Sequence, residues 1–110
     1  MKLVKVVIRP NKIDEVREAL EKASVSGMTI TEVRGHGRQK GHKAIYRGRE
    51  YDVSLLPKTM IELAVSDDIV DEVIGIVMKS ARTGDIGDGR IWVMDIGEAY
   101  NIRTGSRTSD

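Results

Sequence analysis

The sequence contains no cysteine, which removes disulfides, thiolate nucleophiles and cysteine-ligated metals from consideration. Phenylalanine is absent too, and the only other aromatics are one tryptophan and three tyrosines. Its core must therefore be aliphatic, and the aromatic-rich strand pattern that stacks RNA bases is missing. No long apolar run exists: Leu3 to Ile8 is interrupted by Lys5 and closed by Arg9 and Pro10, too short for a secretory segment or a membrane span. A cytoplasmic location is the expectation. Neither sign of charge dominates, since 18 Lys and Arg face 17 Asp and Glu for a net +1. That balance argues against coating nucleic acid through bulk positive potential.

What is present suits one domain spanning residues 1–110, with 40% apolar residues supplying its core. Lys2 to Ile8 reads as a strand with Val4, Val6 and Ile8 on one face. Ile13, Val16, Leu20 and Ala23 recur at helical spacing, with Asn11 as the expected N-cap. A β-rich stretch, Met28 to Val33, follows. Thr59 to Val65 alternates again, and Asp67 or Asp68 is placed to cap a second helix with an apolar stripe from Ile69 to Ala81. Ile91 to Ile96 reads as the fourth strand, and Tyr100 and Ile102 as material for an edge strand. The order β-α-β-β-α-β predicts an α+β split βαβ arrangement, ferredoxin-like, with both helices on one side of an antiparallel sheet. Alternation then places Leu3, Val7, Met60, Ala64, Trp92 and Met94 on the other face, too apolar to be left wet, so sister subunits are expected to cover it.

Two segments carry the chemistry. The connection from His36 to Lys58 is far longer than a compact domain ordinarily uses and reads as unpacked chain. From Arg38 to Arg49 it is basic, with Arg38, Lys40, Lys43, Arg47 and Arg49 and no acid. The second segment is Thr83-Gly84-Asp85-Ile86-Gly87-Asp88-Gly89-Arg90, whose glycines let backbone amides turn toward an anion. Arg82 and Arg90 flank it and Arg103 follows the next strand, which together describe a phosphate site or, more plainly, a tight helix-to-strand turn. Asp88, between two glycines, is expected to organise its own turn. GxxxxGK[ST] is absent, as is a strand followed by GxGxxG, so neither a P-loop nor a dinucleotide unit is indicated. His36 and His42 lack metal-ligand spacing, and no nucleophile with an oriented base emerges, so no catalytic residue is assigned.

Several separated motifs in order now matter together: TEVRGHGRQKGH at Thr31 to His42, YRGREY at Tyr46 to Tyr51, LPK at Leu56 to Lys58, TGDIGDGR at Thr83 to Arg90, and IRTG at Ile102 to Gly105. Over Lys2 to Gly105 the chain resembles the PII family of nitrogen regulatory signal-transduction proteins. That resemblance implies a homotrimer of ferredoxin-like subunits with nucleotides in the clefts between neighbours. It makes residues of about 37–55 the T-loop, about 82–90 the B-loop and about 97–110 the C-terminal segment. It implies ATP or ADP binding through Thr29, Gly35, Gly37, Arg38, Ala64, Gly87, Asp88, Gly89, Arg90 and Arg103. Gln39 would join Mg2+ held by ATP, and Lys58 would reach a carboxylate of 2-oxoglutarate, a division that suits an amide oxygen and an ammonium.

The resemblance further implies a non-enzymatic regulator whose loop, led by Arg47, enters the cytoplasmic vestibule of an ammonium transporter at the membrane. Glutamine synthetase or its modifying enzyme is the alternative partner, and no nucleic acid is expected. A slow nucleotide phosphohydrolase is the reading from another class, disfavoured by the missing general base. Tyr51 stands at a position uridylylated in many relatives. Two departures are visible: Arg90 where the family commonly has Lys, and Asn101 where it commonly has Arg, the latter removing a charge expected near phosphate.

Overall fold

The computed structural model describes residues 1–25, 27–36, 42–46, 49–53 and 55–108, with 42–46 and 49–53 described as backbone only. Strand β1 (Lys2–Ile8) buries Val4, Val6 and Ile8 on one side. Helix α1 (Ile13–Lys22) turns Val16 and Leu20 into the same core. Asp14 and Glu15 in its first turn and Lys22 in its last match the helix dipole. Strand β2 (Thr29–Gly35) follows. After it come β3 (His42–Tyr46) and β4 (Arg49–Val53), which pair antiparallel with each other, then β5 (Leu56–Val65). Helix α2 (Val70–Ala81) buries Val70, Val73, Val77 and Ala81, spaced along one stripe. Strand β6 (Gly89–Asp95) leads to β7 (Ala99–Tyr100) and β8 (Arg107–Thr108), a small separate pair.

The main sheet has the order β2-β5-β1-β6, and every neighbour is antiparallel. This is the ferredoxin-like α+β arrangement. The helices pack against each other and cover the face formed by Val4, Val6, Ile8, Ile61 and Leu63. Each such side chain, fully withdrawn from water, stabilises the fold by about 1.5–3 kcal/mol relative to exposure. Register assigns the opposite face. Leu3 pairs with Ala64 and Met94, Lys5 with Glu62 and Trp92, and Val7 with Met60 and Arg90. Thr29 joins that face opposite Glu62, and Val33 opposite Lys58. Among the described residues no element covers it, and Trp92 and Met94 remain about two-fifths exposed there.

Several sequence expectations need correction. The long connection is not continuous unpacked chain, because it contains the β3–β4 hairpin and its last residues already belong to β5. Asn11 does not cap α1: Pro10 starts a short 3-10 turn, Pro10–Lys12, so the α-helix begins later, with Lys12 at its N-cap. Asp67 and Asp68 likewise sit inside a 3-10 turn after Ser66 rather than capping α2. The carboxylate of Asp67 instead accepts the amino group of Met1 at 2.9 Å. Ile102 adds no strand and is fully exposed in the turn between β7 and β8. Gly89 and Arg90, read as turn, are the first residues of β6.

Candidate functional site

At the end of the open face where β1 and β2 finish and β5 and β6 begin lies an open pocket of about 690 Å³, a volume that suits a small-molecule ligand. Strand pleating delivers Val7, Val33, Lys58 and Trp92 to its floor and walls, with Gly35, His36 and Leu56 beside them. The glycine turn from Gly84 to Gly89, followed by Arg90, closes one side. Gly84, Gly87 and Gly89 have φ of +94°, +104° and +111°, backbone that residues with a Cβ rarely adopt.

The turn is held by a dense set of hydrogen bonds centred on Asp88. Its Oδ2 accepts the N–H groups of Thr83 at 2.9 Å and Gly84 at 2.8 Å. Its Oδ1 accepts the Thr83 hydroxyl and, at 3.1 Å, Arg9 Nε. Four donors occupy the usual capacity of a carboxylate. They hold its pKa far below the usual carboxylate range, with the Thr83 hydroxyl the largest cause, the Thr83 and Gly84 amides next and Arg9 adding to them. An acid so depressed and so fully engaged is a poor general base. Its side chain builds the turn, as the sequence suggested, and only its backbone is left to meet a ligand.

Two cations fasten the next peptides. Arg9 Nη2 donates to the Ile86 carbonyl at 2.8 Å, and Lys58 Nζ donates to the Gly87 carbonyl at 2.7 Å. Burial lowers the Lys58 pKa, the nearby Arg9 charge lowers it further, and Asp88 partly offsets both. Gly35 makes room for this lysine, since a Cβ there would come within 3.3 Å of Lys58 Cγ. Among the described residues, the N–H groups of Ile86 and Gly87 have no acceptor. The pocket therefore offers amide donors, the Lys58 ammonium and the Arg90 guanidinium, a set suited to phosphate or carboxylate oxygens.

The sequence-derived residues fall into three groups. Gly35, Lys58, Gly87, Asp88, Gly89 and Arg90 line the one pocket. Thr29 and Ala64 lie on the same open face but toward its other end, Thr29 four positions from Val33 along β2 and Ala64 six positions from Lys58 along β5, which is about 13 and about 20 Å. Arg103 is exposed in the β7–β8 turn and does not line the pocket. Gly37, Arg38, Gln39 and Arg47 lie outside the described residues, as does the side chain of Tyr51. Arg82, expected to flank the phosphate turn, borders a different hollow with Gly75, Met78 and Lys79, because it leaves α2 in extended conformation. Asn101 is no vacancy in charge alone: its Oδ1 accepts the Thr104 N–H at 3.2 Å and shapes the turn that carries Arg103. Sequence reasoning missed Arg9. Its partners stand 77 and 79 residues away, and the only local signal was a basic residue at the end of a strand before proline.

Known proteins resemble this chain over nearly its whole length. The family model described as nitrogen regulatory protein P-II matches residues 1–106. The chain belongs to the P-II family. A nitrogen regulatory protein P-II of Rhizobium etli is 54% identical over 110 residues, covering 100% of this chain and 98% of that protein. The nitrogen regulatory protein GlnK of Escherichia coli K12 is 55% identical over 105 residues, 96% of this chain and 94% of GlnK. Nitrogen regulatory protein P-II 1 of the same strain is 52% identical over the same share of each chain. P-II membership makes this a signal-transduction protein of nitrogen regulation. No helix among its described residues is long and apolar enough to cross a membrane.

Proposed function

We propose that this P-II protein senses ATP or ADP together with 2-oxoglutarate, and that bound ligands rearrange the 37–55 segment to control nitrogen assimilation. The observation that carries the reading is the convergence of the glycine turn, Lys58, Gly35 and Arg90 on one pocket. Polyphosphate oxygens suit the amides and Arg90. The apolar walls, Val7, Val33 and Trp92, suit a flat ring. Among the described residues no group of three His, Asp or Glu is placed to hold a metal. Mg2+ would therefore rest on ligand oxygens and Gln39, neutralising charge on the phosphates.

Thr29, Ala64 and Arg103 enter this site only if a second copy brings them to the pocket of the first. A homotrimer built through the apolar open face does so and also withdraws Leu3, Trp92 and Met94 from water. ATP and 2-oxoglutarate then share Mg2+, which makes their binding mutually supportive. The protein is a regulator without turnover, and its partner is an ammonium transporter, engaged and blocked by Arg47 on the loop.

Light scattering at micromolar concentration should give about three times 12.2 kDa, and a stable monomer would defeat the shared cleft. Calorimetry should find 2-oxoglutarate binding only with Mg-ATP present. Lys58→Ala and Gln39→Ala should each weaken it more than they weaken ADP. For the partner, deletion of Lys43 to Glu50 should preserve the trimer and abolish ligand-sensitive binding to a reconstituted ammonium transporter. Undiminished binding would transfer the assignment to glutamine synthetase or its modifying enzyme, which the same assay can include.

A further inference from the structure

We infer that Arg9 is the positioning residue of the phosphate turn: it sets the peptide plane between Ile86 and Gly87 so that the Gly87 N–H faces the ligand. The inference rests on the nucleotide reading above and deepens it. It begins from the bidirectional contact of one guanidinium, Nε to the Asp88 carboxylate at 3.1 Å and Nη2 to the Ile86 carbonyl at 2.8 Å. The Arg9 and Asp88 side chains are only 21% and 24% exposed, so water competes weakly for the part-buried Asp88 bond. That bond anchors the guanidinium whose Nη2 reaches the exposed Ile86 carbonyl.

The structural consequence follows from peptide geometry. A trans peptide is planar, with its C=O and N–H pointing in opposite directions, and no peptide among the described residues, that between Ile86 and Gly87 included, is cis. Whatever holds the Ile86 carbonyl therefore aims the Gly87 N–H the opposite way. Gly87, with φ of +104°, has no side-chain preference of its own to keep that plane from rotating. Arg9 supplies the restraint from outside the turn, and its second bond ties the same guanidinium to the acid that organises Thr83 and Gly84. A planar fork reaches a carboxylate and a carbonyl at fixed separation, whereas an ammonium is a point donor on a flexible stem. Lys58 acts on the following plane through the Gly87 carbonyl. A carboxylate ligand that drew Lys58 away would leave the Arg9 restraint in place.

The test compares the wild-type protein with Arg9→Met and Arg9→Lys, after thermal melts establish that each is folded. Calorimetry with ATP and with AMP gives the readout. Arg9→Met should lower ATP affinity about 10-fold, the scale of a charge-assisted hydrogen bond, while AMP changes less than about twofold. Arg9→Lys should recover part of the loss. Unchanged ATP affinity in Arg9→Met overturns the inference, and so does an equal loss for ATP and AMP, which would mark Arg9 as a support of the fold alone. Amide hydrogen exchange in the ligand-free protein is the independent arm. Arg9→Met should speed exchange at Thr83 and Gly84, whose N–H groups depend on Asp88, and unchanged rates there overturn the inference. Failure of the wild-type protein to bind ATP would instead defeat the nucleotide reading, with the Arg9 restraint still decided by exchange.

Discussion

Gly89→Ala should be among the most damaging small substitutions in the chain, and its cost can be worked from two independent features. Gly89 has φ of +111°, a conformation that costs a residue with a side chain about 1–3 kcal/mol. A Cβ built there would also lie 1.7 Å from the Val7 carbonyl oxygen and 2.8 Å from the Val7 carbonyl carbon, where ordinary contact begins at 3.4 Å. Neither is the tip of a flexible side chain. Relief requires the start of β6 to swing away from β1 at the Ile8–Gly89 pair, losing one or two ladder hydrogen bonds at about 1 kcal/mol each. The total is roughly 2–5 kcal/mol, a large share of the 5–15 kcal/mol that holds a typical domain together. Urea unfolding followed by circular dichroism, at matched protein concentration, measures it directly. A loss below about 1 kcal/mol would refute the reasoning, because it would mean that the edge of the sheet yields freely. Nucleotide affinity in the folded fraction should fall as well, since the same displacement drags Arg90 and the glycine turn.

The identical exchange at Gly75 should act in the opposite direction. Gly75 lies inside α2, exposed, with nothing within 4 Å of an added Cβ, so Gly75→Ala should raise stability by about 0.5–1 kcal/mol in the same urea assay. Acid should release the Asp88 contribution. Because this carboxyl has a folded pKa below its unfolded value, its stabilisation is complete above about pH 4 and is lost as pH falls through the folded value. The stability gap between wild type and Asp88→Asn should therefore be widest near neutrality and shrink below pH 4, and a pH-independent gap would remove the charge from the account.

Much of this architecture is local enough to read from residue order. Val4, Val6 and Ile8 alternate, Val16 and Leu20 share a helical face, and all reach the core. The open face was equally legible, because the same alternation that buries Ile61 and Leu63 sends Met60 and Ala64 the other way. The hairpin was not. Basic side chains dominate residues 38–49, and that charge masked the β-forming content of His42–Tyr46 and Arg49–Val53. Motif spacing identified the glycine turn, yet the bond from Arg9 to Asp88 joins the ends of neighbouring strands 79 residues apart in the chain, and local sequence marks it only by a basic residue before proline. Asn101 teaches the reverse: its departure from the family pattern looked like a missing charge, while its amide is a working part of the turn. Arg82 misled for a simpler reason, since adjacency to the turn says nothing about which side of the helix end it leaves by.

The placement of Thr29 about 13 Å and Ala64 about 20 Å from the Lys58 rank along one sheet face has a genetic corollary if the cleft is shared. A subunit damaged at Arg90 still carries an intact Thr29 edge, and one damaged at Thr29 still carries an intact phosphate turn. Co-expressed in equal amounts, two such defective alleles would complement, because random assembly into a cyclic oligomer reunites both healthy halves in about one cleft in four. Conversely, a subunit with both lesions would poison the two clefts it borders and behave as a dominant allele. Inheritance of nucleotide sensing would then follow clefts rather than chains.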